Sequence, residues 1–179
     1  MSRTVAVVGA SLAGLSAARA LREQCYDDRI VVIGDEAHAP YDRPPLSKEF
    51  LARRASLDDI ALGTPDDADL GLEWRLGTTA VGLDHLSRSV LLADGSEVQA
   101  DGVVLATGAR ARRLSGSEGL GGVHVLRSLD DAVALRDSEA YGRELEESEA
   151  AIYAFGGTFL LMIFLDFFFD REREILWLK

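Results

Sequence analysis

Hydrophobic residues near the start of the chain form a continuous run, then follow a helical spacing, then form a continuous run again. Residues 4–8 are apolar and β-branched, as in a strand that is buried on both faces. Small and apolar residues recur at a helical period over residues 11–22, and residues 30–33 form a second apolar run. Together these segments predict a compact β-α-β unit.

Short segments of alternating character replace this pattern over residues 74–100, and they predict a β-meander. The dipeptide Asp94-Gly95 separates residues 89–93 from residues 97–100, which is a strong hairpin signal. Residues 103–106 then return to the composition of a buried strand.

Two short helices are predicted around these strands. Ser47 can cap a helix that starts at Lys48, because the proline pair just before it excludes helix there. Ser128 can cap a helix over residues 129–136, which has two aspartates in its first turn. Residues 137–150 are acidic and favour helix, and we interpret them as a helix or a solvated connector.

Residues 151–179 are far more apolar and aromatic than the rest of the chain. Their pattern predicts a strand over residues 151–155, a Gly156-Gly157 turn, a helix over residues 158–170 and a strand over residues 174–178. This order repeats that of the amino-terminal unit. It predicts a second, partial β-α-β unit, which is either degenerate or truncated.

The fold class predicted is therefore α/β: a Rossmann-like domain with an inserted β-meander, followed by a partial second β-α-β unit. The predicted divisions are residues 1–136, an acidic connector over residues 137–150, and residues 151–179. One alternative for the tail is a membrane anchor, since residues 150–169 contain one charge, Asp166. Another is an exposed interface that causes self-association. Burial in protein is favoured, because the β-α-β pattern accounts for the whole tail.

Composition and charge exclude several classes of protein. The formal net charge of −11 argues against a general nucleic-acid role, which needs a basic face. Cys25 is the single cysteine, so an internal disulfide framework and a C-x-x-C redox pair are excluded. The three histidines show no metal-ligand spacing. Because Met1 leads directly into a predicted strand, we expect no signal peptide and a cytoplasmic location.

The turn after the first strand reads Gly9-Ala10-Ser11-Leu12-Ala13-Gly14, a G-x-G-x-x-G motif with serine at its second glycine. The first glycine of such a turn permits the bend, and the third allows close packing of helix and strand. The helix amino terminus then offers free N–H groups to a pyrophosphate. Asp35 lies near the spacing expected for a ribose-binding carboxylate. The motif predicts dinucleotide binding; a glycine turn without a ligand is the alternative.

Three further stretches carry a resemblance to a known family. They are IGDEAHAPYDRPPLSKEFL, VVLATGAR and HVLRSLDDA, and the R-P-P-L-S-K string of Arg43 to Lys48 is the most distinctive. In order and spacing they resemble the flavin-dependent ferredoxin reductases, which include putidaredoxin, rhodocoxin and rubredoxin reductases. The likeness runs from about Val5 to Arg136. It implies that residues 1–136 form a partial FAD-binding domain.

The resemblance implies roles for residues at the matching positions. The residues that would cradle the FAD pyrophosphate are Gly9, Ser11, Leu12, Ala13 and Gly14. The residues that would contact the rest of FAD are Asp35 or Glu36 at the ribose, Val81 at the adenine, and Arg43, Lys48, Ala106, Thr107, Gly108, Arg110 and Arg127 along the cofactor. Lys48 would lie near the reactive edge of the flavin and is the candidate catalytic residue. Ordinary surface charges are the alternative interpretation of the arginines and of Lys48.

In this family NAD(P)H reduces FAD, and electrons pass on to an iron–sulfur protein, so the resemblance implies a ferredoxin partner. The family continues through an NAD(P) domain, whereas here the glycine positions of the tail hold Thr158 and Leu161, and Ile163 replaces a usual glutamate. We therefore expect NAD(P)H binding to be weak or absent. In the family the chain returns after the NAD(P) domain to complete the FAD domain, and this returning segment is not found here, so we expect the FAD site to be partial. The alternative function is a non-catalytic module that associates through its apolar tail with a partner or a membrane.

Overall fold

The computed structural model describes residues 3–117, 120, 123–137, 153–155 and 157–162. The chain divides into two compact units, Met1–Leu135 and Arg136–Lys179, and each is treated by itself. Between Thr4 and Arg136 the β-strands and α-helices are β1 (Thr4–Val8), α1 (Leu12–Glu23), β2 (Arg29–Ile33), β3 (Leu72–Arg75), β4 (Ala80–Asp84), β5 (Ser89–Leu92), β6 (Glu97–Gln99), β7 (Gly102–Leu105) and α2 (Leu129–Arg136). Three short 3₁₀ helices, Pro44–Ser47, Asp58–Ile60 and Pro65–Leu70, lie between β2 and β3.

A four-stranded parallel sheet is the frame of the first unit, with strand order β3-β2-β1-β7. Val7 in β1 lies opposite Val32 in β2 and Val104 in β7, so the apolar runs pair in register. The helix α1 joins β1 to β2, as the β-α-β pattern predicts. From β1 the chain adds β2 and then β3 on one side, and it later adds β7 on the other side of β1. Ligands of open α/β sheets bind at such a switch point, outside the carboxyl ends of the strands.

The predicted β-meander is present as a three-stranded antiparallel sheet in the order β4-β5-β6. The turn at Asp94-Gly95 connects β5 to β6, and Gly95 has the positive φ of 84° that this turn requires. Asp94 also accepts a hydrogen bond from the Ser96 amide at 2.9 Å. The hairpin signal in the sequence is therefore confirmed.

Two apolar layers cover the two faces of the parallel sheet. On one face, Ala6, Val8 and Val31 pack against meander residues, including Val90 and Leu92. On the other face, the core formed by Val7, Ile30 and Val32 packs against Ala18 of α1. The sheet is buried between the meander and the helix, which explains why β1 and β2 are apolar at every position after their first residues, Thr4 and Arg29.

A third apolar cluster joins the segment after β2 to α2. It consists of Tyr41, Leu46, Phe50, Ile60, Leu129 and Ala132. Ser128 and Asp131 form reciprocal hydrogen bonds at the start of α2: the Asp131 amide donates to Ser128 Oγ, and the Ser128 amide donates to the Asp131 carboxylate. The predicted Ser128 cap is confirmed, and it fixes α2 beside the carboxyl ends of the strands.

Two local expectations for the first unit are wrong. Trp74 belongs to β3, which pairs in parallel with β2 and is not a strand of the meander. The proline pair begins a 3₁₀ helix, Pro44–Ser47, and no helix starts at Lys48. Proline is tolerated in the first turn of a helix because the N–H that it lacks would have had no partner there.

In the second unit, residues 153–155 and 157–162 are helical. The predicted strand over residues 151–155 is therefore wrong where the structure describes it, and Gly157 lies in the helix rather than in a turn. A short apolar run in a sequence is compatible with either a strand or a helix. Here two side-chain contacts between residues one helical turn apart favour the helix. The Thr158 hydroxyl donates to the Ala154 carbonyl at 2.6 Å, and the rings of Phe155 and Phe159 stack with centroids 6.3 Å apart.

The rest of the predicted tail pattern and most of the acidic connector lie outside the described residues. This applies to the end of the helix predicted over residues 158–170, the strand predicted over residues 174–178, and residues 138–150. In the part of the chain that the structure describes, no helix has the length and apolar character that a membrane span requires.

Candidate functional site: a cleft at the carboxyl ends of the parallel strands

The glycine turn brings three backbone segments into close contact. Gly9 has φ of 122°, and a Cβ on it would lie 2.0 Å from the Ala106 carbonyl oxygen just after β7. A Cβ on Gly14 would lie 1.8 Å from the Gly9 carbonyl oxygen. Side chains are thus excluded at both positions, for the reasons that apply to the first and third glycines of a dinucleotide-binding turn.

Ser11 occupies the position before α1, and its hydroxyl makes no hydrogen bond to any residue that the structure describes. Its backbone is extended, and its side chain makes no capping hydrogen bond. The first turn of α1 contains no acidic residue, so the positive end of the helix dipole is not neutralised from within the helix. The hydroxyl and the first amides of α1 are therefore available to a phosphate group.

Two adjoining cavities, of about 150 Å³ and about 450 Å³, form a cleft beside this turn. Both cavities are lined by Gly9, Asp35, Glu36, Arg43, Thr107 and Arg127. The smaller one follows the turn to the start of α1, and the larger one extends between residues 78–80 and the start of α2. A cleft of this size and length suits an extended ligand with a phosphate near its middle.

A hydrogen-bonded group of three side chains lies in the wall of the cleft. The Tyr41 hydroxyl donates to Glu36 Oε2 at 2.5 Å, and Arg43 donates to Glu36 Oε1 at 2.5 Å. The Arg43 guanidinium also lies 5.2 Å from the centre of the Tyr41 ring. Burial, and then the bond to Glu36, raise the pKa of Tyr41 well above its ordinary value, so this hydroxyl stays protonated and acts as a donor.

The two neighbouring carboxylates at the end of β2 differ in their surroundings. Both oxygens of Glu36 accept hydrogen bonds from protein groups. Asp35 is exposed and lines both cavities, and within the described residues its carboxylate has no hydrogen-bond or ion-pair partner. Asp35 is thus the carboxylate whose oxygens remain open to a ligand.

The structure brings most of the predicted site residues together in the cleft. Those that line it are Gly9, Ser11, Leu12, Ala13, Asp35, Glu36, Arg43, Ala106, Thr107, Gly108, Arg110 and Arg127. Three predicted residues do not line it. Gly14 is buried beneath the turn, Lys48 is exposed outside both cavities, and Val81 is 63% exposed next to the lining residue Ala80.

Tyr41, Ser128 and Asp131 also line the cleft, and sequence reasoning did not assign them to it. Burial works to raise the pKa of Asp131, but hydrogen bonds from the Ser128 and Arg127 amides outweigh it and lower that pKa, so the carboxylate stays charged. The S-x-x-D spacing identified the cap of α2, but nothing local in the sequence placed that cap at the cleft.

A larger cavity of about 530 Å³ lies between residues 111–117, residues 123–126 and α2. It shares Ala111, Arg113, Val125 and Asp131 with the cleft but does not reach the glycine turn. Among the described residues there is no group of three or more side chains that could hold a metal ion.

A parallel sheet with a glycine turn and an open helix terminus at its switch point defines a dinucleotide-binding α/β domain. Comparison with known proteins identifies the family. The family model described as pyridine nucleotide-disulphide oxidoreductase matches residues 3–153, and the chain belongs to this family. Members of this family bind FAD.

Individual relatives confirm the resemblance to ferredoxin reductases. The chain is 42% identical over 146 residues to the ferredoxin–NAD(+) reductase component of the biphenyl dioxygenase system of Paraburkholderia xenovorans, a match that covers 81% of this chain and 36% of the relative. It is 39% identical over 158 residues to a rubredoxin–NAD(+) reductase of Pseudomonas putida, which covers 86% and 39% of the two chains.

A solved structure gives the same result for the fold. The crystal structure of the covalent putidaredoxin reductase–putidaredoxin complex matches with a TM-score of 0.69 and 34% identity, over 75% of this chain and 33% of that chain. The predicted Rossmann-like fold class is thus confirmed. The chain spans between a third and two fifths of the length of these relatives.

Proposed function

We propose that this chain is the FAD-binding part of an NAD(P)H-dependent ferredoxin-reductase-like flavoprotein, which passes electrons from NAD(P)H through FAD to a small iron–sulfur protein. The main support for this proposal is the cleft beside the glycine turn. At Gly9 and Gly14 of this turn, neighbouring backbone atoms lie so close that neither position could hold a side chain. Two relatives of this chain are a ferredoxin–NAD(+) reductase and a rubredoxin–NAD(+) reductase, which supports a small iron–sulfur protein as the electron acceptor. We assign the protein to the cytoplasm, where NAD(P)H is available.

The residues of the cleft fit the two ends of a dinucleotide. Ser11 and the first amides of α1 would bind the pyrophosphate, with the exposed Leu12 and Ala13 beside it. Arg110 and Arg127 line the cleft and, within the described residues, have no carboxylate partner, so their charges can offset those of the phosphates. When bound, FAD would accept a hydride and release single electrons, and the protein would orient it.

Asp35 is the residue that we propose for the adenosine ribose, since Glu36 is engaged by Tyr41 and Arg43. Carboxylate oxygens accept hydrogen bonds from ribose hydroxyls in dinucleotide-binding folds. The roles proposed for Lys48 near the flavin and for the Val81 backbone near the adenine depend on the resemblance to the family, because neither residue lines the cleft.

Tight NAD(P)H binding by the second unit is not part of this proposal. Thr158 and Leu161 occupy the positions of the second and third glycines, and both lie in a helix. Leucine at the third position would separate helix from strand, and threonine at the second would narrow the approach to a pyrophosphate. We therefore propose weak or absent NAD(P)H binding to this chain.

Absorbance titration of the purified chain tests the proposal. FAD should bind and show the shifted spectrum of a protein-bound flavin, whereas FMN, which lacks the adenosine and the second phosphate, should bind at least about tenfold more weakly. Equal affinity for FAD and FMN, or no binding of either, would contradict a dinucleotide site. Addition of NADH to the FAD complex then measures whether the chain alone supports reduction.

The second unit supports an alternative function, a non-catalytic module that associates through its apolar tail. Tyr153, Phe155 and Leu160 are each at least two-thirds exposed on the described part of the helix. Analytical ultracentrifugation of the wild type and of a Phe155→Ser, Leu160→Ser variant tests self-association. A concentration-dependent oligomer that the variant abolishes supports the module, and FAD titration of the same variant shows whether both functions coexist.

A further inference from the structure

We propose that Tyr41 and Glu36 are positioning residues, which hold the Arg43 guanidinium in a fixed orientation between the two walls of the cleft. Held in this way, the guanidinium sets the distance between the two walls. We call Glu36, Tyr41 and Arg43 the Glu36 clamp. The inference rests on the proposed function, since a preset width matters only if the cleft binds a ligand. It also changes the role of Arg43, from contact with the cofactor to control of the shape of its site.

The two walls come from distant parts of the chain. The first wall is the segment just after β2, with Asp35 and Glu36, and the second is the segment that leads into α2, with Arg127 and Ser128. Arg43 is bonded to both, because one nitrogen donates to Glu36 Oε1 at 2.5 Å and another donates to the Arg127 carbonyl at 2.8 Å. A planar guanidinium can make both bonds with little loss of side-chain entropy, whereas a lysine ammonium has no such fork.

Tyr41 makes a second connection between the same walls. Its hydroxyl donates to Glu36 Oε2 and accepts from the Leu129 amide at 2.9 Å. Leu129 begins α2 and is 3% exposed, so its amide needs a partner within the protein. Tyr41 as a whole is 7% exposed and packs in the apolar cluster with Leu46 and Phe50. Loss of this hydroxyl would therefore loosen α2 from β2 and leave the apolar contacts in place.

The charges around Arg43 indicate that this residue shapes the cleft and does not serve mainly to attract the phosphates of a ligand. Glu36 neutralises it at hydrogen-bond distance, and the side chains of the pair are only 24% and 19% exposed. By contrast, Arg110 and Arg127 line the same cleft and have no carboxylate partner within the described residues. These two supply the free positive charge, and the Arg43 charge is used to hold the walls together.

Two conservative substitutions test the clamp by their effect on FAD affinity. Arg43→Lys keeps the charge but cannot bond Glu36 and the Arg127 carbonyl together, and Tyr41→Phe removes only the hydroxyl. Each should weaken FAD binding about tenfold, the effect of one charge-assisted hydrogen bond. Because both act through one network, the double variant should lose far less than the product of the two single effects. Affinities are compared at a temperature where thermal scans show every variant folded.

Arg19→Lys is the matched control. Arg19 also bonds a carboxylate and a backbone carbonyl, at Asp67 and Leu62, but it lines neither cavity of the cleft. It should lower the unfolding temperature and leave FAD affinity unchanged within about twofold. A merely structural role for the Glu36 clamp would give the same result for Arg43→Lys.

The outcomes separate this inference from the proposed function. If the wild type binds FAD and both clamp variants bind it equally well, the inference is overturned and the proposed function stands. Effects that multiply in the double variant also overturn it, because Tyr41 and Arg43 would then act independently. If the wild type does not bind FAD, both proposals are wrong.

Discussion

The carbonyl oxygen of Gly9 occupies the space in which a side chain on Gly14 would begin. A Cβ on Gly14 would lie only 1.8 Å from this oxygen and 3.4 Å from Val7 Cγ1. The obstructing atom belongs to the backbone of a turn that is itself held, since the Gly9 amide donates to the Ile33 carbonyl at 2.8 Å. The end of β1, the end of β2 and the start of α1 are thus fixed together by contacts that involve no side-chain polar group.

Gly14→Ala should therefore destabilise the fold strongly. The added methyl group cannot be accommodated unless α1 moves away from β1, and we expect a loss of at least about 3 kcal/mol. Gly63→Ala is the control, because a Cβ at Gly63 has no atom within 4 Å. Thermal unfolding followed by circular dichroism measures both. A Gly14→Ala protein as stable as the control would show that the turn is not close-packed.

Ser11→Asp should separate ligand binding from stability. Aspartate is a good residue before a helix, and its charge is favourable at the helix amino terminus, so the unfolding temperature should stay constant or rise. The same charge would face the FAD pyrophosphate and should weaken binding by at least about tenfold. Ser16→Asp adds an equal charge at an exposed position within α1, outside both cavities, and should leave the affinity near that of the wild type. Unchanged affinity in Ser11→Asp would mean that the phosphates bind elsewhere.

Much of the fold could be predicted because its signals are local. The strands β1 and β2 are covered on both faces and are apolar after their first residues, Thr4 and Arg29. The hairpin depends on the adjacent residues Asp94 and Gly95. The prediction for β3 is wrong because Leu72–Arg75 is half polar. Glu73 pairs with Arg29 at the exposed edge of the sheet, so the strand does not have a buried composition. The strand predicted in the tail is wrong because aromatic residues favour strand in isolation, whereas Phe155 and Phe159 lie one helical turn apart and stack.

The parts of the candidate site whose residues are close together in the sequence could be predicted. The glycine turn and the end of β2 are short motifs, and the resemblance identified the residues after β7. The Glu36 clamp was not predictable, because Tyr41 and the Leu129 amide that it accepts from are separated by 88 positions. Pairing a phenol with a distant helix start requires the three-dimensional structure.

Leu92→Ala should test whether the meander belongs to the same cooperative unit as the parallel sheet. Leu92 is 3% exposed and packs in the cluster that contains Val8 and Val31. Its truncation should cost about 3 kcal/mol. Leu86 lies on the same meander but is 85% exposed, so Leu86→Ala should have almost no effect. Chemical denaturation that shows a separate, early transition for the meander would contradict a shared core.

The ion pair between Asp67 and Arg19 should make stability depend on pH in the acid range. The hydrogen bonds from Arg19 and from the Thr64 amide lower the pKa of Asp67 well below its ordinary value. Because the folded pKa lies below that of the unfolded chain, the stabilisation is fully present above about pH 4 and is lost as the pH falls toward the folded value. The unfolding temperature of Asp67→Asn should therefore lie below that of the wild type at pH 7, and the difference should shrink steadily below about pH 4. Thermal scans from about pH 7 down to pH 2 measure this difference. A gap that stays constant over the whole range would mean that Asp67 stabilises the fold through shape and not through its charge.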